Sequence, residues 1–278
     1  MKIIFLLLVI IIIAGLVVTG QHRLIYHPRP YDDKPTLPKR GEVLEYYTGQ
    51  GRQVAFYLPP GDHGQIPGRL WLIFGGNASL ALDWLELIED FPDPEAAFLL
   101  VDYPGYGRSE GRPGPAAILE SAETALLTLA AHLDASQADL EQRLLLAGHS
   151  LGAAVALLFA EKHRVGRIVL ISPFTNLKDM AARLVGTLLA RTIFADYDNR
   201  SRLRKIINRH PPPAITIIHG ARDKIVPVEM GRELARISSK IDYLEVENGD
   251  HNYIIITARD QILKAMLDPD KIDRGGKR

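Results

Sequence analysis

Cysteine is absent from this 278-residue chain, which excludes structural disulfides, thiolate catalysis and any metal site built on cysteine ligands. A surplus of either charge is absent as well, since 33 basic side chains stand against 33 acidic ones. Nothing therefore draws the whole chain to nucleic acid, and neither zinc-finger nor RNA-binding spacing occurs. Internal repeats and low-complexity blocks are missing, which sets repeat architectures aside. With 47% of its residues hydrophobic, a chain of this length suits one large α/β domain carrying insertions.

What the chain has in excess is apolar sequence at its start. Met1-Lys2 leads into an almost unbroken run from Ile3 to Val18, followed by Thr19-Gly20 and polar Gln21-His22-Arg23. Residues 1–20 are expected to target a membrane, because the run is slightly longer than a signal-peptide core and slightly shorter than a comfortable bilayer span. A retained single-pass anchor is the favoured expectation and a cleaved signal peptide, leaving a secreted or periplasmic protein, the alternative. Positive charge lies on both sides of the run, and its place at the very start favours an extracytoplasmic catalytic domain.

Residues 21–40 hold four prolines and several charges, a composition suited to a linker or an extended strap. Glu42 to Thr48 and Gln53 to Leu58 read as a hairpin around Gly49-Gln50-Gly51-Arg52. Short apolar runs follow at Leu70 to Phe74, Ala97 to Val101, Leu144 to Ala147, Ile168 to Ile171, Ile215 to Ile218 and Tyr243 to Val246. Such runs predict strands buried on both faces. Helical stretches at Leu80 to Glu89, Ala116 to Leu133, Gly152 to Lys162 and Glu229 to Ile237 alternate with them, which implies a mostly parallel central sheet with helices on both faces. The catalytic domain is expected over 41–268 and a polar tail over 269–278. Residues 174–210 interrupt the alternation with Leu177, Met180, Leu184, Leu188 and Phe194, and are expected to form a short helical lid; two crossover helices are the alternative.

The chemistry concentrates around Gly148-His149-Ser150-Leu151-Gly152, a G-x-S-x-G pentapeptide between an apolar β-favouring run and an Ala/Leu-rich helical segment. That context predicts a nucleophile elbow, with Ser150 on a sharp strand-to-helix turn. A serine nucleophile needs a base, and the base needs a carboxylate. Asp223 and His251 follow in the order Ser, acid, His, each on a loop leaving an apolar strand, and so share the sheet edge with Ser150. His149 adjoins the nucleophile and is expected to point away; His132 and His163 fall on helices; His219 at a strand end reads as buried support. A rival acid position after the strand preceding the lid holds Ser172-Pro173 and no carboxylate. Oxyanion donors are expected from the N–H of Leu151 and, after the strand at Leu70 to Phe74, from the N–H of Asn77 in Gly75-Gly76-Asn77-Ala78-Ser79. Asn77 or Ser79 also suits a helix cap.

The loop Gly105-Tyr106-Gly107-Arg108-Ser109-Glu110-Gly111 does not complete a dinucleotide fingerprint: its glycine spacing is off and Pro113 and Pro115 delay the next helix. Together, the Ser150 elbow, Gly75-Gly76-Asn77-Ala78, Asp102-Tyr103-Pro104-Gly105-Tyr106-Gly107-Arg108-Ser109-Glu110-Gly111, Asp223 before Val226-Pro227, and His251-Asn252 resemble the α/β-hydrolases from about Glu42 to Leu267. The chain looks most like the membrane-anchored, serine-aminopeptidase-like branch with depalmitoylase relatives. The resemblance implies the α/β-hydrolase fold and a triad at Ser150, Asp223 and His251. The chain departs from the family's usual His-Gly at Gly75-Gly76 and from Asp-Tyr-Arg-Gly at Asp102-Tyr103-Pro104-Gly105.

The expected function is a serine hydrolase of an ester, thioester or amide, acting on a small-molecule or acylated substrate with no metal or cofactor. A serine aminopeptidase is the alternative within that class, and a non-catalytic, membrane-tethered binding protein the alternative outside it. The basic cluster Arg200, Arg202, Arg204, Lys205 and Arg209 suits either an anionic lipid or acylated protein, or a solvated helix face.

Overall fold

The computed structural model describes residues 20, 22, 23, 25–33, 36–61, 66–186, 190 and 197–267. Eight strands form one sheet: β1 (Glu42–Thr48), β2 (Gly51–Leu58), β3 (Arg69–Phe74), β4 (Ala96–Val101), β5 (Leu144–His149), β6 (Arg167–Ile171), β7 (Ala214–Gly220) and β8 (Ile241–Val246). Their order is β1-β2-β4-β3-β5-β6-β7-β8. β1 and β2 are antiparallel, as are β2 and β4, and every later pairing is parallel. Thr48 pairs with Gly51, so the hairpin turn is one residue pair tighter than its glycine cluster suggests.

The six residues of β4 are all buried, which accounts for a continuously apolar run in place of an alternating one. The two-residue period survives as a division between faces. Leu70, Leu72 and Phe74 join Leu126, Leu129, Leu157 and Phe159 on one face, from helices α1 (Pro115–His132) and α2 (Leu151–Lys162). Trp71 and Ile73 join Trp84, Leu87, Ile262 and Met266 on the other. Each large apolar side chain so buried contributes about 1.5–3 kcal/mol. α2 is buried from Leu151 to Ala160, as a helix apolar on all sides must be.

Within 174–210, α3 (Leu177–Val185) begins at Asn176, whose side chain accepts from the Asp179 N–H at 2.7 Å. α4 (Asn199–Ile207) departs from the lid expectation. Leu203 and Ile206 are fully buried in the core, and α4 packs against α2 as a crossover helix. The basic cluster is largely consumed there: Arg202 and Lys205 pair with Glu161, Arg200 pairs with Asp179 and Glu233, and Arg209 donates to the carbonyls of Ala160, Glu161 and His163. Four of the five basic side chains, those of Arg200, Arg202, Lys205 and Arg209, thus have partners within the fold. Leu188 and Phe194 lie outside the described residues, as do Ile3 to Val18 and residues 269–278. Among the described residues no helix is long and apolar enough to cross a membrane.

α5 (Val228–Ala235) follows β7, and α6 (Arg259–Leu267) closes the second face through Ile262, Leu263 and Met266. Because β3 to β8 run parallel, the loops after them gather at one edge. This is the edge where open α/β sheets form their clefts.

Candidate active site

Ser150 stands between the end of β5 and the start of α2 with φ 55° and ψ −114°. A non-glycine residue in that region carries strain of about 1–3 kcal/mol. The flanking glycines explain how the turn closes. A Cβ on Gly148 would lie 2.2 Å from the Gly152 carbonyl oxygen, and one on Gly152 would lie 2.1 Å from that of Phe74. The G-x-S-x-G spacing is thus imposed by backbone contact between β3, β5 and α2.

Asp223 and His251 come to the same place from the loops after β7 and β8. The His251 Nδ1–H donates to Asp223 Oδ2 at 2.7 Å, and the Ser150 hydroxyl donates to His251 Nε2 at 2.9 Å. Residues 101 positions apart are thereby joined in one hydrogen-bonded chain. Gly220 lets the two loops touch, since a Cβ there would meet the Gly249 carbonyl oxygen at 2.3 Å. Burial alone would push the Asp223 carboxyl up, but hydrogen bonds from His219, His251 and the Val226 N–H hold it well below the usual carboxylate range. Its second oxygen accepts from Ile225 N–H at 2.9 Å and Val226 N–H at 2.7 Å. A carboxylate satisfied on both oxygens keeps its charge and holds the imidazole in one tautomer.

His219 lies behind this pair, fully buried, with Nε2 2.9 Å from the Val226 carbonyl and 3.4 Å from Asp223 Oδ2. Both neighbours only accept, so Nε2 carries the proton and donates. His219 is a supporting residue for Asp223 and does not reach Ser150. His149 does not simply turn away from the site: its ring lies 4.8 Å from that of His251. Burial, with the neighbouring His251, pushes its pKa down to about 3, so the side chain packed beside His251 is neutral.

The two expected oxyanion donors also reach this edge. Leu151 is the first residue of α2, where a helix leaves its N–H groups unpaired and its dipole favours negative charge. Asn77 follows β3 in a loop where Ala78 adopts φ 63°. Among the described residues, neither the Leu151 nor the Asn77 N–H has an acceptor. The Asn77 side chain does not cap the following turn, which instead places the Leu80 N–H on Asp83 Oδ2 at 2.8 Å. Its oxygen accepts from Tyr106 at 2.9 Å, while the Tyr103 hydroxyl donates to the Gly75 carbonyl at 2.8 Å. The loop from Asp102 to Gly111 therefore buttresses the loop after β3. His219 is the buried support that its strand-end position predicts, whereas Tyr103 and Tyr106 had no signal in the sequence beyond lying near a strand end.

Asp102, 1% exposed, anchors that buttress by accepting from Tyr31, the Ala81 N–H and the Arg108 N–H. Burial outweighs these donors and pushes its pKa up to about 6. Among the described residues no cluster of His, Asp and Glu is arranged to hold a metal ion.

Known proteins share the fold of this chain. An uncharacterized protein of Mycobacterium tuberculosis is 29% identical over 255 residues, covering 87% of each chain. A Pyrococcus furiosus esterase superposes with a TM-score of 0.65 at 16% identity, covering 87% of this chain and 97% of its own. A thioesterase domain from the curacin biosynthetic pathway gives 0.60 at 14% identity, covering 82% and 99%. At such identities the two structures establish the shared α/β-hydrolase fold. The sequence model for the serine aminopeptidase family S33 matches residues 67–212, a span that runs from β3 to the end of α4 and so takes in the loop after β3 and the turn at Ser150. More than half of the chain answers to that one model, and the protein belongs to this serine aminopeptidase (S33) family of α/β-hydrolases.

Proposed function

We propose that the protein is a serine hydrolase that cleaves an acyl ester or thioester through an acyl-enzyme. The observation that carries this reading is the unbroken chain from Ser150 through His251 to Asp223, at 2.9 and 2.7 Å. Ser150 Oγ attacks the carbonyl carbon as its proton passes to His251 Nε2. The oxyanion that forms is held by the N–H groups of Asn77 and Leu151, a type of contact worth about 2.7–4 kcal/mol per donor. Collapse of the tetrahedral intermediate expels the alkoxide or thiolate, which takes the proton from His251. Water then repeats the sequence: His251 accepts its proton, hydroxide adds to the acyl carbon, and Ser150 leaves with the proton returned.

An ester or thioester is favoured over an amide because its leaving group departs with less help from a proton donor. The esterase and thioesterase among the structural neighbours support the same preference. The backward-strained Ser150 supports catalysis over a purely binding role, since such strain is typical of functional sites. A fluorophosphonate probe is expected to label the wild type at Ser150 and to leave Ser150→Ala unlabelled. Labelling that persists in Ser150→Ala sinks the assignment. We infer further, from its hydropathy alone, that Ile3 to Val18 tethers the enzyme to a membrane.

A further inference from the structure

The segment Ile25-Tyr26-His27-Pro28-Arg29-Pro30-Tyr31 touches the oxyanion loop at every second residue. The Asn77 side-chain amide donates to the Ile25 carbonyl at 2.7 Å. The His27 N–H donates to Asn77 Oδ1 at 2.9 Å and to the Tyr106 hydroxyl at 3.0 Å. Arg29 Nε donates to the Ala78 carbonyl at 2.7 Å. Ile25 closes a helical turn, and His27 and Arg29 each precede a proline, a position that favours extended backbone. Pro28 and Pro30, which have no N–H, occupy the alternate positions. Buried Tyr26 and the contacts of the Arg29 carbonyl with Gly107 and of Tyr31 with Asp102 fasten the segment itself.

The clamp falls on the residues that most need one. Ala78 holds a left-handed conformation without being glycine, and the neighbouring Asn77 N–H must stay free and aimed at the site. The Asn77 oxygen takes three donors in all, from the His27 N–H, the Tyr106 hydroxyl and the Ala78 N–H, so its side chain faces the strap and its own loop.

We propose that the strap Ile25 to Tyr31 is a positioning element of the active site, which aims the Asn77 N–H at the oxyanion by gripping Asn77 and Ala78. The inference rests on the hydrolase reading above and extends the functional site to residues 50 positions before the oxyanion loop. Asn77 supplies its backbone N–H to the oxyanion, and its side chain acts only through that placement.

The test uses the full chain and p-nitrophenyl butyrate. Asn77→Ala keeps the backbone N–H and loses the clamp; kcat is expected to fall at least tenfold with KM within twofold. His27→Pro deletes one N–H from an exposed position, and its kcat is expected at least fivefold below that of His27→Ala, which keeps it. The inhibition constant of butylboronic acid, whose adduct with Ser150 mimics the tetrahedral intermediate, is expected to rise by the same factor as kcat falls. A general loosening of structure would not link these two quantities. Unchanged kcat and boronate inhibition in both Asn77→Ala and His27→Pro, with a wild type that fluorophosphonate labels, overturns the inference alone. A wild type that neither labels nor hydrolyses the ester overturns the hydrolase reading and this inference with it.

Discussion

Two buried carboxylates at this sheet edge are tuned in opposite directions. Asp223 is held below its ordinary range by the donors around it, against the pull of burial, whereas Asp102 is raised to about 6 by burial against its donors. Asp223 therefore stabilises the folded state above the ordinary carboxylate pKa, and that contribution is lost as pH falls through and below it. Asp102 does the reverse. The native protein keeps its proton where the unfolded chain, near 3.8, has released it, so stability falls as pH rises from about 4 to 6. Relative to Asp102→Asn, the wild type is expected to lose about 3 kcal/mol across that window, measured by urea unfolding at stepped pH. In catalysis, Asp223→Asn is expected to lower kcat by about 10⁴-fold while the Ser150 backbone keeps its place, read in ester turnover. The roles of Ser150, Asp223 and His251 were legible because residue type, chain order and strand ends agree. The supporting place of His219 at its strand end was legible too, but its contact with Asp223 and the support given by Tyr103 and Tyr106 were not, since they arise from side-chain contacts that no local pattern encodes.

At the scale of elements, periodicity located the strands because each is short, apolar and bounded by turn residues. The elbow is an element in the same sense: strand, turn and helix held by backbone contacts that admit no side chain. Gly152→Ala is expected to cost about 3 kcal/mol or more, because its Cβ would press on the Phe74 carbonyl oxygen at 2.1 Å. The check is the urea midpoint together with loss of fluorophosphonate labelling. α4 shows where pattern reading fails. Apolar residues at helical spacing look the same whether a helix covers a cleft or covers a sheet, and only the contact of Leu203 and Ile206 with the core decides between them. The same packing disposes of the basic cluster, whose charges meet Glu161, Asp179, Glu233 and the carbonyls at the end of α2.

On the scale of the whole molecule, the sheet gathers into one edge what the chain scatters from Ile25 to His251. Residues 19–24 separate the apolar run from the strap, so removing residues 1–19 leaves the clamp residues in the chain. The full chain is expected to resist alkaline carbonate extraction from membranes, whereas a variant lacking residues 1–19 enters the soluble fraction and still takes the fluorophosphonate label. Recovery of the full chain in the carbonate supernatant would refute the tether. The sequence by itself determined the fold class and the meeting of Ser150, Asp223 and His251 at one sheet edge, because each depends on local periodicity, turn chemistry or the order of strand ends. Tertiary structure alone decided that α4 belongs to the core, that His219 stands against Asp223, and that a proline-rich strap bonds to Asn77 and Ala78 in the loop after β3. Those outcomes turn on contacts between segments distant in sequence, where burial and hydrogen-bond geometry select the partner.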